Sequence, residues 1–181
     1  LWGKAFGGAT AYDNPAVAVD PSGSVVFAGS YTKDLDLGGG VLTSHGGDTE
    51  GFLAKLSPDG AHVWSKALGG GGHDVVEGVA VNASGMIGLT GSFHQTAEIG
   101  GSPLKSAGDA DVFVAKYDPS GTHLVSKRFG GPKWDAGSAV AFDRAGTLLA
   151  TGRFEGSVDL EGGAPLTSAG KVDLFVASFA P

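Results

Sequence analysis

Three Asp residues, one in each third of the sequence, directly follow a side chain that carries a ring. The pairs are Tyr12 with Asp13, His73 with Asp74, and Trp134 with Asp135. A ring can stack on a sugar or another apolar ligand while the carboxylate accepts hydrogen bonds from hydroxyl groups, which predicts a ligand-binding site that recurs along the chain. The alternative is structural, because a short Asp side chain that accepts backbone N–H groups fixes a turn. The residues favour the structural interpretation and leave the ligand site as the second one.

Other residues whose types could support binding or catalysis do not form a recognisable site. Two further acidic columns, Asp36 with Glu98 and Asp159, and Glu50 with Asp111 and Asp173, mark strand starts and lack the alternating Asp pattern of a calcium loop. The five His have no zinc-site spacing and are expected at the surface. The segment "GGGGHD" lacks the Lys and the following helix of a phosphate-binding loop. The sequence therefore predicts no catalytic residue, no bound metal and no cofactor.

Composition excludes several classes of protein. The chain has 181 residues, of which 41% are hydrophobic, which predicts a folded protein. Its net charge is −7 and its 12 Lys and Arg are scattered, so nucleic acid is not an expected partner. The sequence contains no run of about 18 apolar residues, so membrane insertion is not expected. The absence of Cys says little about the compartment.

The sequence is organised by an internal repeat of 61 to 62 residues, present in three copies. Residues 16–31, "AVAVDPSGSVVFAGSY", return at 78–93 and 139–154, and residues 51–70 return at 112–131. The third copy stops early, at "LFVASFAP". We therefore treat residues 1–181 as one segment with repeats at approximately 1–63, 64–124 and 125–181.

Turn chemistry predicts the secondary structure of each repeat. In "DPSG" and "SPDG", the Pro presets the first turn position, the Asp or Ser caps the turn, and the Gly adopts the left-handed conformation of a tight hairpin. The first repeat then has four strands, near 16–20, 24–31, 51–57 and 61–68, and no helix is predicted anywhere. The Gly-rich segments "DLDLGGGVLTS", "AEIGGSPLKS" and "VDLEGGAPLTS" fall in long connections, at residues 32–50, 94–110 and 155–171, which are predicted to be loops.

These elements predict an all-β fold, a β-propeller of four-stranded antiparallel blades with three blades in this chain. The succession "SKALGG", Asp, "GVAVNASG", "GLTGSF" and "DVFVAKYDPSG" resembles the bacterial seven-bladed-type propeller repeat, abbreviated SBBP, over nearly the whole chain. The resemblance implies one blade per repeat, usually in exported or cell-surface bacterial proteins, and it implies no catalytic residues. Val125, at the position of Trp2 and Trp64, and the turn "AFDRAG" depart from the repeat pattern.

The first residues repeat the end of a unit. "LWGKAFGG" at 1–8 matches "VWSKALGG" at 63–70, so residues 1–8 are predicted to act as an outer closing strand for an incomplete blade. Three blades are too few for a ring, and the chain is then part of a larger ring or half of a six-bladed one. The expected partner is another protein or a second copy of this chain.

The expected function is that of a non-enzymatic scaffold or protein-binding module, exported or at the bacterial cell surface. The alternative is a lectin-like propeller that binds glycans on its long-loop face, through Tyr12, His73 and Trp134 with the Asp that follows each.

Overall fold

The computed structural model describes residues 1–7, 10–45, 48–160 and 164–179, with the side chains of 10–14 excepted. Fifteen strands are found in these residues and no helix. They are β1 (Thr10–Val19), β2 (Val25–Thr32), β3 (Leu35–Asp36), β4 (Val41–Leu42), β5 (Glu50–Leu56), β6 (His62–Gly70), β7 (Val75–Val81), β8 (Ile87–Glu98), β9 (Leu104–Tyr117), β10 (His123–Phe129), β11 (Asp135–Phe142), β12 (Leu148–Phe154), β13 (Ser157–Val158), β14 (Leu166–Thr167) and β15 (Asp173–Phe179). In the described part of the chain, no helix is long and apolar enough to cross a membrane.

The long strands form three antiparallel meanders, which we call units. Unit 1 contains β1, β2, β5 and β6, unit 2 contains β7 to β10, and unit 3 contains β11, β12 and β15. A short pairing between the ends of β6 and β8 joins units 1 and 2 in one sheet. The all-β, antiparallel fold is confirmed, and the predicted absence of helices is confirmed for the described residues. These sheets do not close into a ring.

The tight hairpins have the chemistry that their residues predict. The side chains of Asp20, Asn82 and Asp143 each accept N–H bonds from residues two and four positions ahead, at 2.8–3.0 Å. The Gly that follows each of them has a positive φ, between 81° and 85°. Local side-chain acceptors therefore set the register of the first and second strands of every unit.

The sequence predicted that the long connections are loops, but the structure shows strands in them. Each contains a small hairpin: β3 with β4, the end of β8 with the start of β9, and β13 with β14. His62 and His123, expected at the surface, are half-buried under the Gly-rich tips of the first two hairpins. A Cβ on Gly101 would lie 2.5 Å from the His123 ring, so the ring in this position requires a residue without a side chain at the tip. These two side chains therefore lie partly below the surface at which they were expected.

Three apolar clusters hold the units. Cluster 1 lies between units 1 and 2 and includes Leu53, Leu68 and Phe113. Cluster 2 lies between units 2 and 3 and includes Val114 and Phe129. Cluster 3 covers the other face of unit 1, which has no neighbouring unit among the described residues. Successive units thus pack face to face through the side chains that alternate along their strands.

Candidate functional site

Asp74 and Asp135 are buried at the junctions between units, where they are 2% and 0% exposed. Asp74 accepts N–H bonds from Gly70 at 2.7 Å and from His94 at 3.2 Å, one on each carboxylate oxygen. Asp135 repeats the arrangement with Gly131 at 2.7 Å and with Glu155 at 3.1 Å. Each carboxylate therefore ties the end of one unit's fourth strand to the end of the next unit's second strand.

A second carboxylate lies near each of these Asp residues. Burial, with a smaller contribution from the nearby charge of Glu50, raises the pKa of Asp74 to about 6. Burial likewise raises the pKa of Asp135, with a further contribution from Asp111. Two acidic columns that are far apart in the sequence thus meet at each junction. The equal sequence spacing of Glu50 to Asp74 and of Asp111 to Asp135 is the signal that could have revealed the pairing.

The second carboxylate of each junction has a cationic or basic partner. Glu50 is fully buried and contacts the His45 ring, whose Nδ1 lies 2.8 Å from a carboxylate oxygen. The hydrogen bond and charge of Glu50 raise the pKa of His45. Asp111 is fully buried and accepts a hydrogen bond from the Arg128 guanidinium at 2.6 Å. These contacts are internal to the protein, and they account for Glu50 and Asp111 as part of the junctions.

The predicted ring partners have their own contacts. Trp134 is half-buried and lies under the Arg153 guanidinium, whose carbon is 5.2 Å from the ring centre. His73 is half-buried with its ring edge-to-face with His94, at 5.8 Å between centres. The side chains of Tyr12 and Asp13, the first predicted pair, lie outside the described residues. Because both described carboxylates are buried with their oxygens occupied, their geometry favours the structural interpretation, and ligand binding by these pairs stays a prediction.

The described residues contain no group of three His, Asp or Glu side chains that could hold a metal ion.

An apolar pocket lies on the outer face of unit 1, where cluster 3 is found. It is a pocket of about 290 Å³ whose lining residues are Phe6, Pro15, Phe27, Ser30, Tyr31, Leu35, Leu37 and Phe52. The Tyr31 hydroxyl is buried and has no hydrogen-bond partner among the described residues. Burial, together with the charges of Glu50 and Asp34, raises the pKa of Tyr31 to about 12. The site offers aromatic surface and almost no polar anchor, which suits an apolar side chain better than a sugar.

Residues 1–7 lie against unit 1, and Phe6 lines this pocket. The Phe6 ring stacks on Phe27 with 5.8 Å between centres. The Trp2 indole donates a hydrogen bond to the Pro58 carbonyl at 2.9 Å and lies over Gly60, where a Cβ would be 2.8 Å away. Residues 1–7 pair with no strand in the described part of the chain, and their role as a closing strand stays a prediction.

Solved structures with a similar fold exist, whereas no protein-family model and no curated protein matches the sequence. The fold is similar to the crystal structure of a protein of unknown function from Bacteroides caccae, with a TM-score of 0.44 and 12% sequence identity. The match covers 91% of this chain and 48% of the neighbour, so the chain spans about half of that protein's length.

Proposed function

We propose that the chain is a three-bladed part of a β-propeller that acts as a non-enzymatic scaffold or protein-binding module. Each unit is one blade, and β15 is the third strand of the last blade in the described residues. The resemblance to the SBBP repeat supports a place in an exported or cell-surface bacterial protein.

The packing of the units carries this proposal. Clusters 1 and 2 place neighbouring meanders face to face, as adjacent blades are in a propeller. The same packing leaves apolar side chains uncovered on the outer faces of units 1 and 3, among them Val17, Val19, Leu174 and Val176, which are 62–78% exposed. Uncovered apolar faces of this kind mark protein-interaction surfaces.

The contacts of the titratable residues support a non-enzymatic role. The buried carboxylates at the junctions hold backbone N–H groups or cationic side chains of the same chain. A general acid or base must come within hydrogen-bond distance of its substrate. Asp74 and Asp135 are too deeply buried to make such a contact.

Capture of protein partners tests the proposal. Immobilised wild-type chain is presented with an envelope extract of the source bacterium and with soluble copies of itself. We expect a retained protein that is lost with Val176→Asp and kept with Leu124→Asp, because Leu124 is exposed on β10 in the middle unit. Retention of the same proteins by both variants, or of none by the wild type, contradicts a protein-binding role of the outer faces.

The lectin-like alternative has one supporting observation, the half-buried Trp134 ring in the third junction. A glycan array with wild-type chain and Trp134→Ala decides this alternative. Glycan binding that the substitution removes supports it, and an array without signal above background excludes it.

A further inference from the structure

The boundary between units 1 and 2 shows how one unit closes on the next. Leu53 of β5 and Leu68 of β6 come from unit 1, and they pack in one cluster with Leu89 of β8 and Phe113 of β9. All four side chains are at most 2% exposed. The third and fourth strands of one unit thus cover the second and third strands of the following unit.

The boundary between units 2 and 3 uses the same repeat positions. Val114 and Phe129 stand where unit 1 has Leu53 and Leu68, and both belong to the cluster that contains Ala150 and Phe175 of unit 3. Val114 is 5% exposed and Phe129 is 1% exposed. The interface is therefore a property of the repeat, which any two consecutive units can form.

The outer face of unit 1 is half of such an interface. Phe27 and Phe52 occupy the repeat positions of Leu89 and Phe113, and Phe6 occupies that of Leu68 and Phe129. In the described part of the chain, no side chain on this face takes the position of Leu53 or Val114. The apolar pocket lined by Phe6, Phe27 and Phe52 is left open as a result.

The packing of Trp2 shows that residues 1–7 lie where a preceding unit's fourth strand would lie. Trp64, in the fourth strand of unit 1, covers Gly121 in the hairpin of unit 2, where a Cβ would be 3.0 Å from the indole. Trp2 covers Gly60, the repeat equivalent of Gly121, in the same way. Both Gly residues have a positive φ, 85° at Gly60 and 81° at Gly121, so the turn and the indole both require a residue without a side chain.

The apolar side chains that could complete this interface are found on unit 3, where no other described unit covers them. Val176 of β15 is the repeat equivalent of Leu53 and Val114, and it is 75% exposed. Leu174, the equivalent of the fully buried Val112, is 78% exposed. The edge of β15 also has no fourth strand beside it in the described residues.

We infer that the outer face of unit 1 docks on the outer face of unit 3 of a second copy of this chain, with residues 1–7 completing the partner's β15. This inference rests on the proposed propeller arrangement. Two copies of the 181-residue chain, related by a two-fold axis, form this contact twice and give a closed ring of six units, within the four to eight blades of known rings. The pocket is then filled by Val176 of the partner subunit and is no small-ligand site.

Sedimentation velocity of the 181-residue chain tests the inference. The wild type is expected to sediment as a dimer, with twice the 18.0 kDa mass of one chain. Val176→Asp is expected to be a monomer with an unchanged circular dichroism spectrum, because Val176 is exposed within one chain. Leu124→Asp, the matched control, is expected to remain a dimer, since its exposure does not depend on a missing neighbour.

Each other outcome overturns the second-copy inference. A monomeric wild type, a dimer that persists in Val176→Asp, or open polymers without a discrete mass are all incompatible with a closed two-fold ring. A monomer that binds the apolar dye anilinonaphthalene sulfonate in the pocket also contradicts it. A monomer that retains a different protein through Val176 overturns the inference and leaves the proposed protein-binding function standing.

Discussion

At the scale of single residues, two of the three carboxylates that suggested a ligand site, Asp74 and Asp135, are engaged in hydrogen bonds within the protein. Asp74 and Asp135 each accept two backbone N–H groups where consecutive units meet. An Asp is suited to this role because one carboxylate has an acceptor for each of the two strands that it joins. The period of these residues reflects the period of the junctions.

The raised pKa of Asp74 predicts a pH dependence of stability. Its pKa of about 6 lies above the unfolded value of 3.8, so the folded state binds more protons between these values. The stabilisation is complete below pH 3.8 and is lost as the pH rises through about 6. We expect the free energy of unfolding of the wild type, measured with urea, to fall by roughly 1 to 3 kcal/mol more between pH 4.5 and 7 than that of Asp74→Asn.

A turn residue provides the matched control for this experiment. Asp118 is half-buried in a surface turn, and its hydrogen bonds with Ser120 and Thr122 lower its pKa, so its own contribution changes below the ordinary Asp value of 3.8. The free energy of unfolding of Asp118→Asn should therefore change between pH 4.5 and 7 by the same amount as that of the wild type. An equal slope in Asp74→Asn and the wild type would show that Asp74 is not the titrating group.

At the scale of elements, sequence reasoning was accurate where the signal is local. The strands on both sides of "DPSG" and "SPDG" could be predicted because Asp, Pro and Gly determine the hairpin within four residues. The small hairpins in the long connections could not, since runs of Gly are equally typical of loops. Their support comes from His62 and His123, which the sequence places far from the hairpin tips.

The contact between the second hairpin tip and His123 predicts a coupled pair of substitutions. Gly101→Ala should destabilise the protein by about 1 to 3 kcal/mol, because the added methyl group meets the His123 ring, which also packs edge-to-face on Tyr117. In a His123→Ala background the same change should cost clearly less. Urea unfolding of the two single variants and the double variant measures the coupling.

Gly71→Ala is the control for that cycle, since a Cβ at Gly71 meets nothing within 4 Å. It should have little effect on stability in either background. Strictly additive effects of Gly101→Ala and His123→Ala would contradict the proposed support of the hairpin by His123.

At the scale of the whole molecule, the repeat predicts three similar units, and the structure shows how they pack. The sequence could not show which apolar residues are left without a cover, because that depends on which unit lies beside each face. Val114 and Val176 occupy the same repeat position, yet one is 5% exposed and the other 75%. The propeller arrangement that follows from this packing stays a proposal.

This contrast predicts different costs for the same substitution. Val114→Ala removes buried methyl groups between units 2 and 3 and should destabilise the chain by about 2 kcal/mol. Val176→Ala should change stability by less than about 0.5 kcal/mol when measured at protein concentrations at which the chain is monomeric. Similar costs at both positions would show that the outer face of unit 3 is already covered within one chain.

Residues 1–7 are proposed to lie beside β15 of a second copy, and a disulfide between the two chains tests this position directly. Within the chain, Leu53 pairs with Lys66 and Val114 with Lys127, so the repeat places Val176 opposite Lys4 of the partner subunit. Directly opposed residues in antiparallel strands have the Cα separation that a disulfide needs, and the chain has no Cys of its own. Under mild oxidation, the Lys4→Cys, Val176→Cys double variant is expected to give a covalent dimer on a non-reducing gel, and the Lys4→Cys, Leu124→Cys control is expected to remain monomeric on that gel. A double variant that stays monomeric, or a control that cross-links equally well, would contradict the central claim.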